Sequence, residues 1–240
     1  MLRDAFAAEL FRLTKDRGAL FWGFLFVPIL ALAIGLGTEA FSNAARPETA
    51  IDVPADLARQ ALAAFAQAAS PVTGFFVLLG AAMIFAGDYR HETWRLLTPR
   101  ASRVDLMLAK FGVFAGLTKA SVLLIGLAGV LAALFGALAF GRSAEWSLGF
   151  GGFATQWVGY FAISVLQLLQ IGALAALCAV ATRSLLAAVA LPIGIGVAQA
   201  FVQSQFGPTD PTAVEFWHFA ALPGLDGEIL RAFVEGREFM

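Results

Sequence analysis

The residues of this chain whose types suit chemistry are concentrated in one charged segment, residues 87–110, between long apolar stretches. Within it, His91 and Glu92 begin like the HExxH motif of zinc hydrolases, but position 95 is arginine where the second histidine ligand is required. The sequence also contains no GxxxxGK[ST] loop, so the chain lacks the usual means of binding and hydrolysing a nucleotide. We therefore predict no catalytic site, no metal site and no cofactor bound by this chain.

The charge pattern of the same segment indicates membrane topology instead. It holds five basic residues (Arg90, Arg95, Arg100, Arg103, Lys110) and three acidic ones (Asp88, Glu92, Asp105). A basic island between two membrane spans is typical of a cytoplasmic loop. Basic islands also bind nucleic acid, but beside membrane spans the topology explains this one better, so no nucleic-acid partner is predicted.

The composition excludes a soluble protein. The chain is 60% hydrophobic and 14% charged, whereas a soluble domain carries about 25% charged residues. Uncharged runs cover Gly18–Thr38, Gln60–Gly87, Ala120–Gly141, Trp146–Thr182 and Ser184–Thr209. Each run reaches the roughly 20 residues that a helix needs to cross the hydrocarbon core. The predicted fold is all-α: a polytopic helical membrane protein with five spans, forming a single domain over residues 1–240.

The boundaries of the elements follow from these runs. The first span contains Pro28, and we expect a neighbouring helix to bond the carbonyl that this proline frees. Residues 39–59 are predicted to be an external loop, from which a helix rises from Ala55 into the second span. The third span is carried by a helix over residues 104–140, about 55 Å long at 1.5 Å per residue, whose first turns project from the membrane. The fourth and fifth spans are placed at about Phe153–Ala181 and Leu185–Val202.

The amino-terminal segment, residues 2–17, is predicted to be an amphipathic helix lying on the lipid surface. Leu2, Phe6, Leu10 and Leu13 share one face at helical spacing, although Glu9 intrudes on that face. The alternative is a plain extension of the first span.

The distribution of charge predicts the orientation. Residues 2–17, residues 88–119 and Arg183 together hold 11 of the 16 basic residues but only six of the 17 acidic ones. By the positive-inside rule, the amino terminus is therefore cytoplasmic, and residues 203–240 form an external tail. We expect a multi-pass protein of the cell inner (plasma) membrane.

The fourth span carries a polar stripe. Gln156, Tyr160, Ser164, Gln167 and Gln170 fall within about a third of the helix circumference, and Gln199 lies on the fifth span. Such a stripe can line a hydrated path for a substrate. The alternative is hydrogen bonding between helices, and the sequence leaves both open.

The charged segment resembles the membrane subunits of type-2 ABC transporters. The residues that match the family pattern are Asp88, Thr93, Leu96-Leu97, Pro99, Ser102-Arg103 and Lys110. The turn at Arg183-Ser184 and the pair Leu222-Pro223 also fit, while Glu92 stands where the family often has glycine. The family normally has six spans, whereas five are predicted here, so residues 203–240 are either the loop before a missing sixth span, which we favour, or a tail that folds back at the outer interface.

The resemblance implies a mechanism and its partners. Residues 88–103 would form a cytoplasmic coupling loop that contacts a separate ABC ATPase subunit, which would bind ATP and Mg²⁺. The implied contact residues are Asp88, Tyr89, Arg90, Glu92, Thr93, Trp94, Arg95, Leu97, Pro99 and Arg103. A second permease subunit, identical or related, would complete the transporter, which is expected to be an exporter.

Two other functions remain open at this stage. The chain could be a non-transporting membrane scaffold or assembly factor. It could also be a membrane enzyme acting on lipids, although no cluster of acids, histidines or nucleophiles at the membrane face supports that chemistry.

Overall fold

A computed structural model describes residues 2–45, 54–68, 70–90 and 102–206 of the chain. Apart from two paired two-residue strands, these residues form helices separated by short turns. The helices are α1 (Leu2–Lys15), α2 (Arg17–Leu20), α3 (Phe26–Ala45), α4 (Leu57–Gln67), α5 (Pro71–Arg90), α6 (Arg103–Phe140), α7 (Phe150–Thr182) and α8 (Leu185–Phe206). The strands are β1 (Ala55–Asp56) and β2 (Ala144–Glu145), which pair in parallel.

The lengths and composition of the helices are those of an all-α membrane protein. Within the described ranges, three helical stretches are long and apolar enough to cross a membrane: 17–45, 103–140 and 150–182. A fourth is obtained if α4 and α5, which meet at an angle of 58°, count as one span. The expected five spans are not confirmed: the described side chains of α8 form a shorter apolar stretch, Leu185–Ala198, although the helix itself continues to Phe206.

The first span is continuous through a local distortion. A π-helical turn, Phe21–Leu25, joins α2 to α3 and lies just before Pro28. Because Pro28 has no N–H, it cannot bond the carbonyl of Phe24 four residues earlier. The Ser121 hydroxyl of α6 donates a hydrogen bond to that carbonyl at 2.8 Å. The prediction that a neighbouring helix would bond the freed carbonyl is thus confirmed.

The predicted external loop at residues 39–59 is wrong at its first half, because α3 continues to Ala45. Glu39 is buried within this helix, and its negative charge is compensated by the guanidinium of Arg142, 2.6 Å from the carboxylate. The expected helix in the second half is present as α4, which begins at Leu57 after the N-cap residue Asp56. A turn before Pro71 then separates α4 from α5.

The longest helix is α6, and the predicted range of 104–140 agrees with the observed Arg103–Phe140. Ser102 caps its first turn by accepting a hydrogen bond from the Asp105 amide, and Gly141 ends it with a φ of 67°, a conformation that favours glycine. This helix contacts α1, α3, α4 and α7, so it forms the centre of the bundle.

Two glycines allow α6 to pack closely on its neighbours. The ring of Phe65 on α4 lies against the backbone of Gly126, and the ring of Phe114 on α6 lies against Gly172 of α7. Neither glycine has room for a Cβ atom. Both rings are buried, so each glycine receives an aromatic side chain that joins α6 to another helix.

Candidate functional site

The charged loop implied by the sequence is carried by α5 and α6. Asp88, Tyr89 and Arg90 lie in the last turn of α5, where Tyr89 is half-buried, and Arg103 is exposed in the first turn of α6. The other implied contact residues, Glu92, Thr93, Trp94, Arg95, Leu97 and Pro99, lie outside the described residues. The structure therefore places the two helices that hold the loop, and the contact surface itself remains a prediction.

Two turns from the loop, a cluster of charges around the buried Glu9 and Lys110 joins three helices. The Lys110 side chain of α6 is only 1% exposed, and its Nζ atom lies 2.7 Å from Oε1 of Glu9 on α1. The same Nζ donates a hydrogen bond to the main-chain carbonyl of Ile84 on α5 at 3.1 Å. Arg12 of α1 lies 3.0 Å from Oε2 of Glu9 and also donates to the Ile84 carbonyl, at 3.2 Å. The Ile84 carbonyl on α5 thus accepts a hydrogen bond from a cationic side chain of each of the two neighbouring helices.

This cluster explains the acid that intrudes on the apolar face of α1. Ala5, Glu9 and Leu13 form the buried face of the helix, and Leu2, Phe6 and Leu10 are exposed. The expected single apolar face is therefore divided, with Leu13 turned inward toward the bundle. Because burial removes water from the carboxylate, Glu9 requires partners of opposite charge, and Lys110 supplies one.

The sequence alone gave no weight to this cluster. Lys110 belongs to the charged segment and to the family resemblance, Glu9 is an exception to the amphipathic pattern, and Arg12 enters the charge count. A usable signal was present, since a single acid lies between small and apolar residues at i−4 and i+4, Ala5 and Leu13. A buried charge of this kind implies an opposite charge on a neighbouring helix.

The polar stripe of α7 is divided among different environments. Ser164 is buried, and its hydroxyl donates to the carbonyl of Phe65 on α4 at 2.9 Å, so at this position the alternative of hydrogen bonding between helices is confirmed. Tyr160 and Gln167 are also buried, Gln156 is half-buried, and Gln170 is exposed. The side chain of Gln199 on α8 lies outside what the structure describes.

Gln156 and Tyr160 do meet at an open groove between α4 and the first half of α7. The groove has a volume of about 340 Å³ and is lined by Arg59, Leu62, Ala63, Ala66, Leu148, Gln156 and Tyr160. Most of these side chains are apolar, and one guanidinium lies at the rim. Only Arg59, Gln156 and Tyr160 contribute polar side-chain atoms to its lining.

The rim of the groove is ordered by Asp56, which precedes α4. Its carboxylate accepts hydrogen bonds from the Ser147 hydroxyl and from the amides of Ala58 and Arg59, and it lies 3.2 Å from Nε of Arg59. Burial by itself would raise the pKa of the Asp56 carboxyl, but these hydrogen bonds outweigh it and hold the pKa below its ordinary value of 3.8. The hydrogen bonds thus favour the ionised form of the Asp56 side chain.

Metal binding finds no support in the part of the chain that the structure describes. No group of three or more His, Cys, Asp or Glu side chains lies together there. Comparisons of the chain with protein-family models, with curated proteins and with solved structures find no match. The functional interpretation therefore rests on the residues of this chain and on their geometry.

Proposed function

We propose that this chain is the membrane-spanning permease subunit of an ATP-driven ABC transporter, acting as an exporter in the inner (plasma) membrane. A separate ATPase subunit hydrolyses ATP, and a second permease subunit, identical or related, completes the membrane path. The amino terminus and the loop between α5 and α6 are cytoplasmic.

One observation carries the proposal. Lys110, the last residue of the sequence pattern shared with type-2 ABC permeases, bonds the carbonyl of Ile84 and so joins the two helices that carry the charged loop. The rings of Phe85 and Phe111, with centroids 4.8 Å apart, pack the same two helices together. A loop held between two joined helices transmits an applied movement to the spans instead of absorbing it.

The length of α6 determines how far this loop lies from the hydrocarbon core of the membrane. At 38 residues, α6 extends about 57 Å, well beyond the ~30 Å hydrocarbon core. The loop at its first turn therefore lies away from the lipid, where a water-soluble ATPase subunit has access to it.

The first experiment is affinity purification of the tagged chain from native membranes in a mild detergent. We expect an ABC ATPase subunit to be recovered with the chain, and ATP hydrolysis by the purified complex. Recovery of the chain without any ATPase, from membranes in which it is functional, would contradict the proposal.

The second experiment tests the topology. Cys178 is the only cysteine, so a Cys178→Ala chain carrying Trp94→Cys has a single thiol, placed in the loop. We expect an impermeant thiol reagent to label it only after the cells are permeabilised. Ready labelling of intact cells would place the loop outside and exclude contact with an ATPase.

A membrane scaffold or assembly factor is the second candidate. The observation in its favour is that Ser164, in the middle of the polar stripe, bonds a neighbouring helix and does not face an open path. Replacement of Gln156 and Gln170 by leucine separates the two functions, because a scaffold tolerates it and a translocation path is impaired. Gln67, an exposed glutamine on α4 that is not part of the stripe, provides the matched leucine control.

A further inference from the structure

The cluster of Glu9, Arg12 and Lys110, in which Glu9 and Lys110 are buried and Arg12 is partly exposed, lies close to the charged loop. Lys110 is seven residues into α6, and Ile84 is six residues before the end of α5. Each is therefore about 10 Å along its helix from the loop. The cluster fixes the two supports of the loop relative to each other and joins both to α1, because Glu9 pairs with Lys110 of α6 and Arg12 bonds the Ile84 carbonyl of α5.

The packing around the cluster shows that α1 lies along α6. Ala5 of α1 forms a buried group with Leu106 and Ala109 of α6, and the Phe6 ring lies against Gly112. Leu106 and Ala109 belong to the turns between the loop and Lys110. The amino-terminal helix is thus in contact with the loop-bearing end of α6 over two turns.

We propose that α1 is a working part of the coupling apparatus, and that Glu9, Arg12 and Lys110 are positioning residues that set the direction in which the charged loop faces the ATPase subunit. This inference rests on the proposed function. Arg12 and Lys110 bind one carbonyl on α5 while Glu9 holds both cations, so α5, α6 and α1 meet at one point. Movement received by the loop is then shared with α1, which is separated from the first span only by Asp16.

The chain contains a matched control. Glu39 and Arg142 form a second buried ion pair, with Nη1 of Arg142 2.6 Å from Oε2 of Glu39. It joins α3 to the turn that follows α6, and it lies more than about 45 Å from Lys110 along the axis of α6. Both ion pairs are therefore expected to contribute to the stability of the fold, whereas only the pair of Glu9 and Lys110 is expected to affect the loop.

The test compares two double variants in which an ion pair is replaced by apolar side chains of similar size. They are Glu9→Leu/Lys110→Met and the control Glu39→Leu/Arg142→Met. Apolar replacement of a whole buried pair is often tolerated by the fold, whereas removal of one partner leaves an unpaired charge. Both variants are expected to reach the membrane in amounts similar to the unchanged chain.

The first measurement needs no partner. Hydrogen exchange of the purified chain in lipid nanodiscs reports the opening of the helix ends at residues 85–90 and 103–108. We expect exchange there to be about tenfold faster in Glu9→Leu/Lys110→Met, because the supports of the loop are released, and unchanged in the control. Unchanged exchange in both variants would overturn the inference.

The second measurement is the amount of ATPase subunit recovered per permease chain from native membranes. We expect recovery of the ATPase subunit to fall about fivefold for Glu9→Leu/Lys110→Met, because residues outside a contact surface can still affect binding at that surface. Recovery is expected to stay unchanged for the control. An equal fall for both variants, or none for either, would overturn the inference and leave the proposed function intact. Recovery of no ATPase with the unchanged chain would instead contradict the proposed function.

Discussion

Ser121 on α6 donates a hydrogen bond to the carbonyl oxygen of Phe24, the atom that Pro28 leaves without its helical partner. Ser121 is only 2% exposed, so water does not compete with the Phe24 carbonyl for the serine hydroxyl. One hydroxyl therefore allows a proline in the first span and at the same time joins that span to the central helix.

Loss of this hydroxyl is expected to destabilise the protein. Ser121→Ala leaves a buried carbonyl without its donor, and we expect the free energy of unfolding to fall by about 1–3 kcal/mol. Reversible denaturation in mixed micelles measures the change. Ser42→Ala is the control, because the Ser42 hydroxyl bonds only the Glu39 carbonyl of its own helix, and an equal loss for both variants would contradict the assignment.

The ion pair of Glu39 and Arg142 gives a second prediction. Both side chains are nearly buried, at 11% and 12% exposure, so Arg142→Met leaves an uncompensated carboxylate and is expected to cost about 3–5 kcal/mol. Glu39→Leu/Arg142→Met is expected to recover most of that loss. If the double variant is as unstable as the single one, packing of the arginine stem and not the charge pair is what stabilises this end of the protein.

A third prediction concerns the glycines of α6. Gly126→Ala places a methyl group into the ring of Phe65, and we expect overpacking to cost about 1–3 kcal/mol. Gly116→Ala on the same helix is the control, because a Cβ atom there meets nothing within 4 Å and alanine is the better helix former by about 1 kcal/mol. The two substitutions should therefore shift the unfolding temperature in opposite directions.

The Phe65→Leu background provides a further check on the same contact. With the ring removed, Gly126→Ala should lose most of its destabilising effect, since double variants of touching residues are not additive. Additive effects of the two substitutions would show that the ring is not what excludes the methyl group.

The lowered pKa of Asp56 predicts a dependence on pH. Because the folded pKa lies below the ordinary value of 3.8, the ionised carboxylate stabilises the fold above that value, and this contribution is lost as the pH falls through the folded pKa. The difference in stability between the unchanged chain and Asp56→Asn should therefore be largest near neutral pH and shrink below about pH 4. A difference that stays constant from pH 7 to pH 3 would refute the role of the carboxylate.

Elements defined by local sequence were predicted well. The start and end of α6 agree with the prediction within one residue, and the observed boundaries coincide with Ser102, which caps the helix, and Gly141, which ends it. The bonding of the Phe24 carbonyl followed from the position of Pro28 and the chemistry of a buried carbonyl.

Features that depend on distant partners were not predictable in the same way. The sequence predicts a loop from Glu39, because it does not reveal that Arg142, 103 residues away, pairs with this carboxylate. Glu9 was likewise discounted, although Lys110, 101 residues away, completes its environment. A charge in an apolar stretch indicates a loop if it is solvated and a helix contact if it is paired, and the sequence alone does not separate the two.

The small strand pair has a mechanical consequence. Ala55 pairs with Ala144 and Asp56 with Glu145, so the entry to α4 is fastened to the turn that follows α6. A rod about 57 Å long that tilts by about 5° at one end moves its other end sideways by about 5 Å. Because β1 leads directly into α4, such a tilt of α6 would carry the start of α4 with it and would alter the groove that α4 forms with α7.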